Sequence, residues 1–336
     1  MKKEYNIKTF FKENYFTIIF LILFSIFCFY DTGYSIYKPG GTINASERVS
    51  GTNINKGKGT FNMAYVGMMK GKLPFYLLAK VIPSWELVKN EKFVINENEN
   101  IEDVYARDNL DYKGALSNAL YVAFTKANIP FKETKNNYYV YYKTKENDSN
   151  LKVGDEIISY DNIPFESFNE LVKYINTKKE NDQITIKYKE GKNELESKST
   201  IYKKEDRLYI GLSIINIKEI ESDYNISVKT KGSESGPSGG LITTLAIYNA
   251  LTKEDITHGK KIVGTGTIAL DGTVGEIGAV NYKIDAAEHK HADIFLCPKE
   301  NYQDAVEYAK KKKYDIIIVE VGTIDDALNY LNSLEG

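Results

Sequence analysis

A serine set among glycines is the residue in this sequence best suited to nucleophilic chemistry. Residues 232–240 read GSESGPSGG and stand directly before an apolar segment. Glycines permit tight turns with unusual dihedral angles, and Pro237 stiffens the turn. We therefore expect Ser238 to lie at or near a helix N-terminus, where free backbone N–H groups can stabilise an oxyanion. The same local pattern also fits a serine that only caps the helix, which is the commoner role.

A serine hydroxyl needs a base before it can attack, and the sequence offers histidine or lysine for that role. The three histidines, His258, His289 and His291, stand in a loop and at a helix end among lysines, so we expect them at the surface. Lysine can act as a base when burial lowers its pKa enough to leave a neutral amine. Lys283 is the candidate, because it begins a predicted helix in a part of the chain with few charges.

Three segments in this region together resemble the proteolytic domain of Lon-type peptidases. They are Gly236-Pro237-Ser238-Gly239-Gly240, Gly264-Thr265-Gly266-Thr267-Ile268 and the run from Gly275 to Lys283. The resemblance implies that Ser238 is the nucleophile, that Lys283, 45 residues later, is its base, and that Thr265 supports the lysine. Gly236 and Gly239 support the serine, and backbone N–H groups at Ser238 and Gly239 are the expected oxyanion donors.

Two features depart from the family pattern. Ser235 stands where many members carry an acidic residue three positions before the nucleophile, and the neighbouring Glu234 is the candidate to replace that residue. The AAA+ ATPase module of the family is also missing. The run GMMKGKL at residues 67–73 has the wrong spacing for a Walker A motif, and the GTG at 264–266 is too short for a dinucleotide site. We therefore expect no nucleotide and no other cofactor.

Alternating helices and strands are expected to position these residues. The pattern predicts helices at 238–250, 281–289 and 303–312, and strands at 262–270, 294–297 and 316–319, the last of them buried. Asp271-Gly272 predicts a hairpin turn, and Thr323 with Asp326 predicts a capping box for a final helix. Together these elements indicate an α/β domain over residues 205–336.

A different pattern precedes this domain, with short strands and turns over residues 135–204. The segment LKVGDEIISYDNIP at 151–164 resembles a PDZ domain, a fold that binds extended peptides at a sheet edge. No glycine-bearing loop stands before the predicted strand Tyr138–Tyr142, where Lys135-Asn136-Asn137 is found instead. The resemblance therefore implies peptide docking but leaves capture of a peptide C-terminus open.

The N-terminal segment predicts a membrane anchor. Tyr15–Tyr30 is an apolar stretch of 16 residues preceded by lysines, with tyrosines at both ends. The positive flank predicts a cytoplasmic N-terminus and an extracytoplasmic remainder. A cleaved signal peptide is the main competitor, but no small-residue cleavage site follows, and Phe27 before Cys28 argues against a lipoprotein. The glycine- and lysine-rich residues 38–60 that follow indicate a linker or short strands with turns.

The composition excludes several other classes of protein. The chain of 336 residues has a net charge of −2 and no basic stripe, so nucleic acid is not an expected partner. Lys310–Lys313 is read as the cationic last turn of a helix. With only Cys28, Cys297 and three histidines, neither a disulfide framework nor a metal site is expected.

The sequence as a whole predicts an α+β protein whose segments have distinct roles. They are a cytoplasmic basic segment (1–14), a transmembrane anchor (15–30), an extracytoplasmic region of unassigned role (31–134), a PDZ-like domain (135–204) and a Lon-type proteolytic domain (205–336). This arrangement looks like that of membrane-bound PDZ-Lon peptidases and implies an ATP-independent serine endopeptidase acting on polypeptides. Family resemblance alone implies a homo-oligomer, a hexamer in particular. The alternative is a PDZ-like peptide-binding scaffold with a degenerate protease domain.

Overall fold

A computed structural model describes residues 7–94 and 99–334. In these residues the helices are α1 (Ile7–Phe29), α2 (Leu73–Ala79), α3 (Ile101–Lys126), α4 (Phe168–Ile175), α5 (Gly240–Leu251), α6 (Val280–His289), α7 (Lys299–Lys312) and α8 (Ile324–Asn332). The strands are β1 (Asp31–Asn44), β2 (Val49–Ser50), β3 (Thr60–Lys72), β4 (Glu86–Lys89), β5 (Lys132–Lys143), β6 (Glu156–Tyr160), β7 (Ile163–Pro164), β8 (Gln183–Glu190), β9 (Asn193–Thr200), β10 (Tyr202–Lys204), β11 (Arg207–Tyr209), β12 (Leu212–Glu221), β13 (Ser227–Val228), β14 (Lys261–Gly264), β15 (Ile294–Pro298) and β16 (Ile317–Val321).

The chain divides into two compact units, and β1 and β3 contribute residues to both. The first unit is Met1–Pro39 with Val66–Phe93, and the second is Gly40–Tyr65 with Val94–Gly336. The triplet Pro39-Gly40-Gly41, expected in a linker or a turn, lies inside the long strand β1.

Helices α1 and α2, strand β4 and parts of β1 and β3 form the first unit. Within α1, Phe10–Phe29 is long and apolar enough to cross a membrane, and none of it is buried inside the protein. The helix begins earlier than the expected apolar stretch, so its 23 residues exceed the length that a span requires. Strand β4 pairs antiparallel with the first half of β1, and Tyr34 lies opposite Lys89.

An antiparallel sheet in the order β12-β5-β6-β8-β9 forms the PDZ-like part of the second unit. Its inner face alternates as the sequence predicts, since Ile184, Ile186 and Tyr188 of β8 are buried. The tight turn Asp161-Asn162, with both residues at positive φ, joins β6 to β7. Helix α4 packs Leu171 and Ile175 into the same core, and Ser167 caps its N-terminus. The sheet includes β12, which lies beyond residue 204.

A parallel sheet of β14, β15 and β16 forms the proteolytic-like part, with β14 also parallel to the start of β3. Helix α5 is apolar and buried along almost its whole length. The capping box of Thr323 and Asp326 at the start of α8 is present as predicted. The prediction that the last strand is buried was wrong. Strand β16 lies at the edge of the sheet, and Ile317 is 58% exposed.

Strand β14 ends at Gly264 and does not continue to Leu270 as its apolar pattern predicts. The backbone after Gly264 leaves the sheet and bonds to the segment that begins α5. The Gly266 N–H donates to the Ser238 carbonyl at 2.8 Å, and the Leu241 N–H donates to the Gly266 carbonyl at 3.0 Å. These long-range bonds replace the strand pairing that local periodicity favours.

Helix α3 connects the two parts of the second unit. It begins at Ile101, where Asn100 and Asp103 form a capping box. It contacts both α5 and β12. Two side chains fix these contacts. The Ser117 hydroxyl donates to the Lys218 carbonyl at 2.7 Å, and the Asn118 amide donates to the Ile268 carbonyl at 2.9 Å.

Candidate active site

Ser238 lies in the turn that leads into α5, as expected. The helix is capped by Gly239, and no side chain in the described part of the chain makes a capping hydrogen bond there. The Ser238 hydroxyl makes no hydrogen bond to any residue that the structure describes. The role of a simple helix cap is therefore not the one that Ser238 adopts.

Glycines bring the start of α5 into close contact with its surroundings. A Cβ atom at Gly239 would overlap the sulfur of Met63, and one at Gly240 would lie 2.9 Å from the backbone nitrogen of Ile268. Gly236 has a φ of +79°, which favours glycine, and its N–H donates to the Asp108 carbonyl of α3 at 2.9 Å. These glycines set the path of the turn that presents Ser238.

Lys283 reaches the serine turn through Thr265. The amine Nζ donates to the Thr265 hydroxyl at 3.0 Å, and that hydroxyl donates to the Ser238 carbonyl at 3.0 Å. Lys283 is only 4% exposed and Thr265 is fully buried. No hydrogen bond joins the Ser238 hydroxyl directly to Lys283 in the described part of the chain. The structure thus brings the three predicted residues together.

Burial makes the Lys283 amine a weaker base. It lowers the pKa of Lys283 from 10.5 to about 7, because an ammonium is poorly solvated in the core. The neighbouring Cys297 thiolate would oppose this shift. Burial also raises the pKa of Cys297 to about 12, so the thiol is uncharged at neutral pH and does not hold the ammonium in place.

Two backbone N–H groups at the serine turn have no acceptor among the residues described. They belong to Ser238 and Gly239, and they stand before the first turn of α5. Free N–H groups at a helix N-terminus can stabilise negative charge on an oxygen atom. The arrangement thus places potential oxyanion donors on the backbone of the serine itself.

Glu234, the candidate to replace the missing acidic residue, is held by two other side chains. Arg48 binds it at 2.8 Å, and the Tyr112 hydroxyl donates to it at 2.7 Å. Burial opposes its ionisation, but these partners lower the pKa of Glu234 below its ordinary value. Ser235 is exposed beside it. Glu234 therefore ties the serine loop to the rest of the unit. Sequence reasoning missed Arg48 and Tyr112, because both are distant from Glu234 along the chain.

The histidines take no part in this site. His258, His289 and His291 are all exposed, as expected from the sequence. Among the basic side chains that the structure describes, only Lys283 is joined to the backbone of Ser238 itself by hydrogen bonds, through the Thr265 hydroxyl.

A second candidate site lies between α4 and the start of β12. A cavity of about 770 Å³ is lined by α4 on one side and by residues 207–213 on the other. Gly211 in this second wall has a φ of +70°, and the N–H groups of Ile210 and Gly211 have no acceptor in the described residues. A glycine-bearing loop therefore does lie beside the groove. This loop follows β11 in the sequence. From the sequence alone, such a loop is expected before Tyr138, and its position here was therefore missed.

Family models match both parts of the second unit. Residues 221–333 match the Lon protease (S16) C-terminal proteolytic domain, and residues 129–200 match the PDZ domain. Both domains that the sequence predicted are confirmed.

Individual proteins are similar over shorter stretches. The Lon protease of Campylobacter concisus (strain 13826) is 38% identical over 96 residues, which cover 28% of this chain and 12% of that protein. The Lon protease of Mycoplasma mobile is 32% identical over 137 residues, covering 38% and 16% respectively. This chain thus spans a small fraction of the length of these relatives. The solved PDZ domain of an SdrC-like protein from Listeria monocytogenes is 29% identical, covering 25% of this chain and 93% of that one, with a TM-score of 0.23.

Proposed function

We propose that this chain, in which a PDZ domain precedes a Lon-type proteolytic domain, is a membrane-anchored serine endopeptidase that works without ATP. The observation that carries the proposal is the buried pair of hydrogen bonds that joins the Lys283 amine, through the Thr265 hydroxyl, to the backbone carbonyl of Ser238. A lysine with a pKa near 7 supplies a neutral amine at physiological pH, which is what a serine nucleophile needs from its base.

The proposed reaction has two stages. The Lys283 amine takes the proton from the Ser238 hydroxyl as Oγ bonds to the substrate's carbonyl carbon. The resulting ammonium then gives that proton to the leaving amine as the C–N bond breaks, which leaves an ester on Ser238. Water attacks the ester, its proton passes to Lys283, and the acid product leaves as Ser238 regains a proton. The N–H groups of Ser238 and Gly239 stabilise the oxyanion in both stages.

The PDZ domain is proposed to hold an extended segment of the substrate. A bound peptide would lie in the groove between α4 and β12, because β12 is the edge strand of its sheet. The free N–H groups at Ile210 and Gly211 would bind a peptide carboxylate. This groove makes C-terminal capture part of the proposal.

The compartment and the assembly state are proposed on other grounds. The apolar α1 would anchor the protein with its N-terminus in the cytoplasm and its proteolytic domain outside, because lysines precede it. A homo-oligomer, with a hexamer as the implied form, rests on family resemblance alone.

Cleavage of an unfolded protein tests the proposal. The full chain in detergent micelles should cleave casein without nucleotide, and added ATP with magnesium should not change the rate. Ser238→Ala and Lys283→Ala should each abolish cleavage while the near-UV circular dichroism stays unchanged. Ser233→Ala, which alters an exposed serine of the same loop, is the matched control and should remain active.

The outcomes separate the enzyme from its alternative. Wild-type turnover in either Ser238→Ala or Lys283→Ala would show that Ser238 and Lys283 are wrongly assigned as nucleophile and base. A wild-type chain that binds peptides but cleaves none would favour the scaffold with a degenerate protease domain.

A further inference from the structure

The first unit exposes a concentrated apolar surface on α2 and the turn after it. Phe75, Leu77, Leu78 and Val81 are 40%, 45%, 47% and 78% exposed, and we call these four residues the α2 patch. The helix reads LPFYLLA and contains no charged residue. Exposed apolar groups this close together usually mark an interaction site.

The helical turn continues past α2 and keeps the patch together. The Lys80 N–H donates to the Leu77 carbonyl at 3.2 Å, and the Ile82 N–H donates to the Leu78 carbonyl at 2.9 Å. Phe75, Leu78 and Val81 are spaced three residues apart, so they share one side of this short helix. Ala79 faces inward and is buried.

The α2 patch lies beside the end of α1. The Leu73 N–H, at the start of α2, donates to the carbonyl of Tyr30 at 3.0 Å, one residue after α1 ends. The Thr32 hydroxyl donates to the Gly71 carbonyl at 2.5 Å and fixes the same junction. The two helices contact each other within the first unit. The patch therefore continues the exposed apolar surface of α1.

We propose that the α2 patch lies in the boundary between lipid headgroups and acyl chains, next to the point where α1 leaves the membrane. This inference rests on the proposed anchoring by α1. An apolar helix too short to span the bilayer gains free energy by lying in its interface, where buried apolar area drives binding. In this position α2 gives the first unit a second attachment to the membrane.

The residues around the patch have the chemistry of a membrane interface. Tyr76 packs against Tyr34 with ring centroids 5.1 Å apart, and the Lys80 ammonium lies 4.7 Å from the Tyr76 ring. Tyr30 is 57% exposed. Tyrosine and lysine side chains are enriched at this depth because their apolar stems lie in lipid while their polar ends reach water and phosphate.

Spin labelling of the full chain in vesicles tests the inference. Single cysteines at Leu78→Cys and Val81→Cys, in a Cys28→Ser background, would carry a nitroxide, and the buried Cys297 stays unlabelled. The vesicles contain phosphatidylcholine and phosphatidylglycerol. Relaxation by oxygen, which concentrates in lipid, is compared with relaxation by a water-soluble nickel chelate. The matched control is Leu270→Cys, at a leucine that is 41% exposed in the second unit.

The expected ratio of oxygen to nickel accessibility is severalfold higher at positions 78 and 81 than at 270. Equal ratios would overturn the inference, and protection from both reagents would assign the patch to a protein partner and overturn it as well. A fourth label, Phe20→Cys in α1, separates this failure from failure of the anchor. A label at position 20 that lies in water would contradict the membrane anchor itself.

Discussion

Lys283 obtains its proposed role from burial and from one hydrogen bond, since no carboxylate pairs with it in the described residues. A lysine paired with an acid would keep its proton far above neutral pH. Here the titratable group that acts on the amine is the Cys297 thiol, whose raised pKa leaves it neutral. The absence of an anion next to the amine is thus as important as the presence of Thr265.

The rate of cleavage should follow the protonation of this lysine. Because burial lowers the pKa of Lys283 to about 7, kcat/KM should increase as the pH rises through about 7 and level off above it. The measurement is kcat/KM for a short peptide between about pH 5 and 9. A profile that is flat across this range would contradict a lysine base.

The same residue should lower the stability of the fold in acid. Below about pH 7 the folded protein contains a buried ammonium, and this cost is relieved as the pH rises from about 7 toward the lysine's unfolded pKa of 10.5. Lys283→Met removes the cost and should raise the free energy of unfolding by about 1–3 kcal/mol near pH 6. Chemical denaturation at several pH values measures this. Lys290→Met, at an exposed site just after α6, should have no such effect.

The sequence predicts the residues that we propose to react, but it does not predict the residues that hold them in place. The order and spacing of Ser238, Thr265 and Lys283 predict all three by family resemblance, and the structure links them through the Thr265 hydroxyl. Arg48 stands 186 residues before its partner Glu234, and Tyr112 stands 122 residues before it. No local pattern encodes contacts between such distant segments, because they arise only when the chain folds.

At the scale of elements, the loop before Ser238 is held by contacts with residues outside the domain that carries Ser238. Gly236 is bonded to α3, and Glu234 is bonded to Arg48 and to Tyr112 of α3. The region 31–134, whose role the sequence did not reveal, therefore supplies part of the support of the site. The strand β14 illustrates the same limit of prediction, because its end is set by bonds to Ser238 and not by its own residues.

Removing one of these anchors should reduce both stability and turnover. Arg48→Met leaves the largely buried Glu234 without its cation, so the unfolding free energy should fall by about 1–3 kcal/mol. The serine turn would be held less firmly, so kcat should fall more than KM rises. Denaturant unfolding and steady-state kinetics measure both effects. An unchanged kcat at a temperature where the variant is folded would show that this anchor is not needed for turnover.

At the scale of the whole molecule, the proposed function assigns substrate binding to the PDZ domain and chemistry to the proteolytic domain. The groove beside α4 is lined by residues remote in sequence from Ser238. If it holds long substrates, its loss should affect them and spare short peptides, which reach the serine unaided.

Gly211→Ala tests whether the groove binds long substrates without affecting the cleavage of short ones. Its φ of +70° disfavours alanine, and the added Cβ would overlap the Thr144 hydroxyl, so the loop should shift. We expect a higher KM for casein and an unchanged kcat/KM for a short peptide. The control is Gly191→Ala, at a glycine with a φ of +62° and open space around it. An unchanged KM for casein in Gly211→Ala would argue against the groove as a substrate site.

The hydrogen bonds of Thr265 determine which partner is the donor in its contact with Lys283. Its hydroxyl has one hydrogen, which is committed to the Ser238 carbonyl, so it can only accept from Lys283. A neutral amine that donates one N–H to Thr265 keeps its single lone pair free for another proton. The threonine thus accepts an N–H from the lysine without using the basic electron pair of the amine. In the proposed mechanism, that electron pair is available to the serine hydroxyl.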